Sequence, residues 1–411
     1  MKKPLTRLPW REGNHLHLLR TGEAFFPKLC AAIDAARRSV HLETYIYAWD
    51  DTGRKILEHL KQASERGVKV RLVVDGFGSH EAIVPLTQAC TDAGIQLRIY
   101  RPEPVGTMRL LRLNASRLRR LHRKTAVIDR RVAFVGGINI LDDYDTLPIE
   151  AGEPMPRLDF AVQMHGPIVR DVSLIQGALW LRMSWRKRPN WRAFYSRVRQ
   201  WAIRLNAQLR RASNAPAVGP SRAMLLPRDN ILHRQTIENA YLQMLSMAEH
   251  RILIANAYFF PGRRLRKALI DAARRGVQVD LLLQGQPEYP LQYRACRYTY
   301  QDFLGHGLVL HEYMASFLHA KVAVIDDLVM IGSSNLDPLS LLLAREANIL
   351  SDDPELVEAL MRDLRHAINE GSTRIPIEAL ARRGWIQRIS DALAYATLRA
   401  GVLLTGRASK Y

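Results

Sequence analysis

The sequence predicts an α/β fold made by tandem duplication: two mixed, mostly parallel sheets flanked by helices, with the functional site between the halves. Three observations carry this. A charged decapeptide occurs twice, LHRKTAVIDR at 121–130 and LHAKVAVIDD at 318–327, about half the chain apart. Each copy follows the same succession of strand and helix patterns, and self-similarity at long period signals repeated architecture. The chain has 411 residues, 47% of them apolar, enough for a duplicated domain with a substantial core.

The elements follow in order. SVHLETYIY (39–47) and RILIANAYFF (251–260) are short runs rich in β-branched and aromatic residues, hence strands. GRKILEHLKQASERGVKVRLVVDG and GRRLRKALIDAARRGVQVDLLLQG come next; Leu, Ile and Ala recur there at helical spacing. Gly67 and Gly276 stand at the C-cap positions, and VKVRLVVDG and VQVDLLLQG complete a β-α-β unit each time. AGIQLRIY (93–100) matches HGLVLHEY (306–313), and the decapeptide follows as a hairpin.

Read as strands, the decapeptides put His122 with Lys124, and His319 with Lys321, on one face; Asp129 and Asp326 fall on the other, at hairpin turns. Neither aspartate is then the direct partner of its own histidine. FVGGINILD (134–142) and MIGSSNLDP (330–338) follow. Small residues such as Gly137 and Ser333 let backbone approach a ligand, and Asn139 and Asn335 offer amide donors to an anionic oxygen. Pseudo-twofold packing of the halves turns these groups into a positive pocket of phosphate size.

Composition narrows the partners. Sixty Lys and Arg against forty Asp and Glu leave +20, so the partner is anionic: nucleic acid, anionic lipid or a phosphorylated substrate. Cys30, Cys90 and Cys296 form neither a zinc-spaced cluster nor a disulfide framework, which favours a reducing compartment. The N-terminus lacks the apolar run of a signal peptide, and no transmembrane helix is expected.

The doubled His-x-Lys-x4-Asp with Gly-Gly/Ser-x-Asn resembles the phospholipase D superfamily across residues 12–365. WREGNHLHLLRTGEAFFPKL, ANAYFFPG and GSSNLDPLSLLLAREANI are most similar to bacterial cardiolipin synthases, those of B type in particular. The resemblance implies a phosphatidyltransferase without cofactor or metal, whose catalytic set is His122, Lys124, Asp129, His319, Lys321 and Asp326. One histidine attacks the lipid phosphorus and the other serves the alcohol as acid and base; His122 is expected as nucleophile and His319 as acid/base. Asn139, Asn335, Gly137 and Ser333 are expected at the phosphate. Asp159 and Glu346 are expected to orient the histidines through Nδ1–H. The implied partners are phosphatidylglycerol, with phosphatidylethanolamine as an alternative donor, and an anionic membrane surface on the cytoplasmic face of the bacterial cell membrane, with no nucleic acid.

Four regions are expected: an N-terminal half (1–179), a basic aromatic connector (180–222), a C-terminal half (223–366) and a basic amphipathic tail (367–411). At 191–209 aromatic and aliphatic residues follow helical spacing beside arginines, and the tail repeats this with Trp385, Ile389, Leu393 and Ala396. Such stripes suit interfacial helices on anionic lipid. Residues 108–124 mix Leu and Arg in a similar way. A hydrolytic phospholipase D, another phosphatidyltransferase, or a basic nuclease or nucleic-acid-binding protein are the alternatives.

Overall fold

A computed structural model describes residues 8–103, 119–144, 155–185, 216–230, 232–287, 289–381 and 384–404. The stripe at 191–209 and residues 108–118 lie outside these. The N-terminal half comprises β1 (Arg11–Arg20), α1 (Thr21–Asp34), β2 (Ser39–Thr44), α2 (Asp51–Glu65), β3 (Lys69–Asp75), α3 (Ile83–Asp92), β4 (Gln96–Tyr100), β5 (Lys124–Ile128), β6 (Val132–Gly136), β7 (Phe160–His165) and α4 (Ile168–Trp185). The C-terminal half repeats this with β8 (Ser221–Arg228), α5 (Thr236–Met247), β9 (Arg251–Asn256), α6 (Arg263–Arg274), β10 (Gln278–Gln284), α7 (Pro290–Tyr298), α8 (Tyr300–Gly305), β11 (Val309–Tyr313), β12 (Lys321–Ile325), β13 (Leu328–Gly332), α9 (Pro338–Leu342), β14 (Glu346–Ser351) and α10 (Pro354–Gly371). A short β15 (Ser372–Arg374), α11 (Ile377–Ala381) and α12 (Trp385–Leu404) close the chain. Helices α4 and α10 run across the expected boundaries at 179/180 and 366/367.

Local chemistry explains the ends. Asp50 accepts the Gly53 N–H at 2.7 Å to cap α2, and Asp353 accepts the Leu356 N–H at 2.8 Å to cap α10. Gly67 and Gly276 follow their helices at φ +82° and +92°, the left-handed C-cap geometry that only glycine adopts without strain.

The strand order is β15-β11-β10-β9-β12-β13-β14-β8-β1-β7-β6-β5-β2-β3-β4. Reading outward from the β8–β1 contact, the two halves run in the same order. The duplication is thus a pseudo-twofold, and the two expected sheets join edge to edge at Arg11↔Ala223 and Asn14↔Ser221. The expected parallel majority is corrected: among the described residues only β2–β3, β3–β4, β9–β10 and β10–β11 are parallel, and the other ten pairings are antiparallel. Crossover helices connect only the outer strands, while the decapeptides open tight hairpins that force antiparallel neighbours.

Each half buries its outer face under its own helices, with Leu42, Leu72 and Phe134 in one core and Ile254, Leu281 and Met330 in the other. A third core is shared. Val127, Val135 and Val162 meet Val322, Val324 and Ile349 there, with Val172 of α4 and Leu360 of α10. This common core holds the two histidine-bearing strands in one frame.

Candidate active site

Each histidine stands just before its strand, in a segment paired with the opposite half. Leu121 bridges Arg345, and the His122 N–H donates to the Arg345 carbonyl at 2.9 Å. In the mirror arrangement Leu158 bridges Leu318, and the His319 N–H donates to the Leu158 carbonyl at 2.9 Å. The residue after Arg345 is Glu346 and the residue after Leu158 is Asp159, so each carboxylate arrives beside the other half's histidine. His319 Nδ1 lies 2.6 Å from Asp159 Oδ2, and His122 Nδ1 lies 3.0 Å from Glu346 Oε1 and 3.0 Å from the Ser333 carbonyl. The neighbours of each Nδ1 are acceptors, so Nδ1 carries a hydrogen and Nε2 is the nitrogen left for substrate, as a lone pair or, when the ring is charged, as a second N–H.

The lysines sit behind the imidazoles. Lys124 Nζ donates to the His122 carbonyl at 2.9 Å; Lys321 Nζ donates to the His319 carbonyl and lies 3.9 Å from Asp159 Oδ2. Burial dominates the electrostatics, because it penalises charge. It lowers Lys124 to about 7, with Glu346 opposing and Lys321 reinforcing the shift. It raises Asp159 to about 6, with Lys321 pulling the other way. His122 is lowered by burial, with Glu346 partly restoring it; His319 is lowered further by burial and by Lys321, Arg157 and Lys124. Burial thus favours the neutral imidazole at both positions, beside two lysines and two carboxylates.

Asn139 Oδ1 accepts the Ile46 N–H at 3.2 Å, next to Tyr45, leaving the Asn139 NH2 for a ligand. Asn335 is 4% exposed and keeps a buried Oδ1 without a partner. Gly137 and Ser333, expected at the phosphate, stand behind the acids instead. A Cβ on Gly137 would fall 2.2 Å from Asp159 Oδ1, so glycine makes room for that carboxylate. The Ser333 hydroxyl donates to Glu346 Oε2 at 2.6 Å, fixing the longer acid.

Asp129 and Asp326 are also corrected: they lie outside the cluster, roughly 17 Å along the strand from their lysines at ~3.3 Å per residue. Asp129 accepts the N–H groups of Arg37, Arg38 and Ser39 at 2.7–2.8 Å, and Asp326 those of Glu249, His250 and Arg251 at 2.8–3.0 Å. Partial burial pushes both carboxyls up, but these donors outweigh it and hold them below the usual range. They fasten the hairpin turn to the head of the neighbouring strand.

The profile described as cardiolipin synthase, phospholipase D-like domain, matches residues 29–145 and 241–368, more than half of the chain. The chain belongs to this family. The family's two matched segments each contain one His-Lys pair and its hairpin aspartate. Cardiolipin synthase B of Salmonella typhi is 38% identical over 398 residues, covering 97% of this chain and 91% of that protein. The Escherichia coli (strain K12) cardiolipin synthase B is 37% identical over the same shares. The phosphatidylserine synthase structure from Haemophilus influenzae shares the fold at TM-score 0.67 and 15% identity, with 97% of each chain covered. A Porphyromonas gingivalis polyphosphate kinase shares it at 0.56 and 16% identity over 95% of this chain and 53% of that one.

Three residues of this family member's site escaped the sequence reading. Tyr45 packs its ring 4.8 Å from the His122 ring, with Lys124 Nζ 5.3 Å from its centroid. Asp75, wholly buried and raised to about 6 by burial, accepts the Leu121 N–H at 2.7 Å just before His122. Gln284 does the same for Leu318, accepting its N–H at 3.2 Å just before His319. The matched ends VVDG and LLQG held the signal: both repeats place a polar side chain directly after the apolar run that ends the strand.

Proposed function

We propose that this phosphatidyltransferase moves a phosphatidyl group onto the glycerol hydroxyl of phosphatidylglycerol, forming cardiolipin. The observation that carries the reading is the paired arrangement: two histidines, each with Nδ1–H held by a carboxylate from the other half and a buried lysine alongside. In the first step Nε2 of His122 attacks phosphorus, the bond to the leaving alcohol breaks, and His319, protonated at Nε2 once the anionic phosphodiester is bound, gives that oxygen the proton. In the second, His319 takes the proton of the incoming hydroxyl, whose oxygen displaces the histidine. Lys124, Lys321 and the Asn139 and Asn335 amides stabilise the charge on the non-bridging oxygens. The donor is a second phosphatidylglycerol, releasing glycerol, or phosphatidylethanolamine, releasing ethanolamine.

Peripheral attachment to an anionic membrane fits the surface. Among the described residues no helix is long and apolar enough to cross a membrane. Trp385, Ile386, Ile389 and Leu393 of α12 are nevertheless 50–72% exposed, and Phe77, Tyr289, Leu291 and Met314 are exposed at strand and helix ends in both halves. Such apolar surface on a chain of net charge +20 suits anionic lipid better than nucleic acid.

Incubation with head-group-labelled phosphatidylglycerol, followed by lipid chromatography and mass analysis, tests the reading. Cardiolipin with released glycerol is expected. Phosphatidic acid alone would make the enzyme a hydrolase, and DNA cleavage without a lipid product would replace the lipid reading altogether. His122→Ala and His319→Ala should each lower turnover by at least about a thousandfold while circular dichroism stays native.

A further inference from the structure

The two halves part company where β9 and β10 end. A cavity of about 310 Å³, part of it open to solvent, lies there beneath α7, lined by Tyr258, Tyr289, Tyr293, Tyr300, Gln284 and Gln286. Gln284 is 7% exposed. Its Oε1 is committed to the Leu318 N–H, and its Nε2 is buried without a hydrogen-bond partner. At the matching place in the N-terminal half stands Asp75, whose oxygens take the N–H groups of Leu121, Phe77 and Gly78, with Arg120 at 3.6 Å. One half is therefore saturated, while the other keeps an unspent donor one residue from a catalytic histidine. The Ala257 N–H, on the cavity wall, donates to the carbonyl of Ala320, between His319 and Lys321.

We propose that this cavity is the alcohol subsite and takes a neutral polyol, the glycerol head group of phosphatidylglycerol; the proposal rests on the transfer reaction above. A buried amide donor left unpaired costs free energy, so the occupant must present an oxygen acceptor. An acyl chain has none there. Ethanolammonium would suit the tyrosine faces, but its head has only donors and would set N–H against N–H. The lining named above is uncharged, which disfavours phosphate; the lysines already serve that group. A second hydroxyl of the polyol satisfies Gln284 Nε2 while the reacting hydroxyl offers its proton toward His319.

The test is competition between isotopically labelled alcohols with full-length protein and unlabelled phosphatidylglycerol as phosphatidyl donor, so that transfer to glycerol is read as label entering phosphatidylglycerol. Wild type should transfer to free glycerol at least about tenfold better than to 1-propanol, because a site built to hydrogen-bond a hydroxyl rejects the analogue lacking it. This arm needs no variant, so misfolding cannot blunt it. Gln284→Glu keeps an acceptor for the Leu318 N–H but replaces the donor with negative charge. It should shift the glycerol-to-ethanolamine product ratio toward ethanolamine by about tenfold or more. A wild-type glycerol-to-propanol ratio within twofold of unity overturns the assignment, as does an unchanged glycerol-to-ethanolamine ratio in active Gln284→Glu. If wild type forms no cardiolipin at all, the transfer reading itself fails. Cardiolipin formed with flat alcohol selectivity sinks only the subsite.

Discussion

A carboxylate held 2.6 Å from His319 Nδ1 in a buried setting is useful to the histidine and costly to the fold. Burial raises Asp159 to about 6 from 3.8. The native state therefore binds more protons than the unfolded chain between about pH 4 and pH 6, and stability falls as pH rises through that window. Asp159→Asn removes the titration. Its melting temperature relative to wild type should climb by a few degrees from pH 4 to pH 6 and then level off, while turnover drops about a hundredfold or more. Thermal unfolding across pH 4–8 checks the sign; a difference that shrinks with pH would mean Asp159 is stabilised as the anion. Arg123 shows the other face of the same strand. It sits between His122 and Lys124 in sequence, yet its guanidinium lies 2.8 Å from buried Glu43, because alternation sends it away from the site. The second repeat has Ala320 and Ala255 in these places and carries no such pair.

At the scale of elements, the hairpins β5–β6 and β12–β13 decide where the lysines stand. Asp129 and Asp326 turn at φ +51° and +49° and each gathers three backbone N–H groups from the head of β2 or β9. Asp326→Ala should cost about 1–3 kcal/mol in denaturant unfolding, since it strands those donors at a tight turn. Activity per folded molecule should persist, and a loss as deep as that of His319→Ala would return Asp326 to the chemistry. Helix α12 makes a different contribution. Its Ala394, Tyr395 and Leu398 side packs on the C-terminal core, leaving Trp385, Ile389 and Leu393 outward. Replacing Trp385 and Ile389 by serine should weaken sedimentation with phosphatidylglycerol vesicles several-fold even at low salt, where charge attraction is strongest. Unaltered binding would assign attachment to charge alone.

For the whole molecule, the wiring across the pseudo-twofold is the controlling feature. Glu346 serves His122 and Asp159 serves His319, so neither half holds a complete histidine–carboxylate pair. A phosphatidyl donor with a p-nitrophenol leaving group needs no protonation of that group, and it separates the two roles. With His122 as nucleophile, Glu346→Gln should lose most of the p-nitrophenol burst, whereas Asp159→Asn should retain it within about tenfold. A burst lost through Asp159 and kept through Glu346 would reverse the roles. A burst that tracks His122 with Asp159 would contradict the crossed pairing itself.

The repeat was legible because it is local and periodic. The strand-helix-strand order, the faces of His122, Lys124, His319 and Lys321, the glycine caps and the hairpin turns all follow from spacings of a few residues. The candidate acids Asp159 and Glu346 were reachable only through resemblance. Which histidine each would meet was not, since the contacts span 160 and 224 residues. The same distance hid the join of β1 to β8; the antiparallel majority was already implicit in the hairpins β5–β6 and β12–β13, which set the direction of their neighbours. Gly137 and Ser333 looked like ligand-facing small residues; only packing revealed that one makes space for Asp159 and the other holds Glu346. Sequence alone thus determined which chemical groups the protein brings, because periodicity assigns side chains to faces. Tertiary structure decided which of them act on one another, because that choice is made between two sheets whose meeting no short-range pattern encodes.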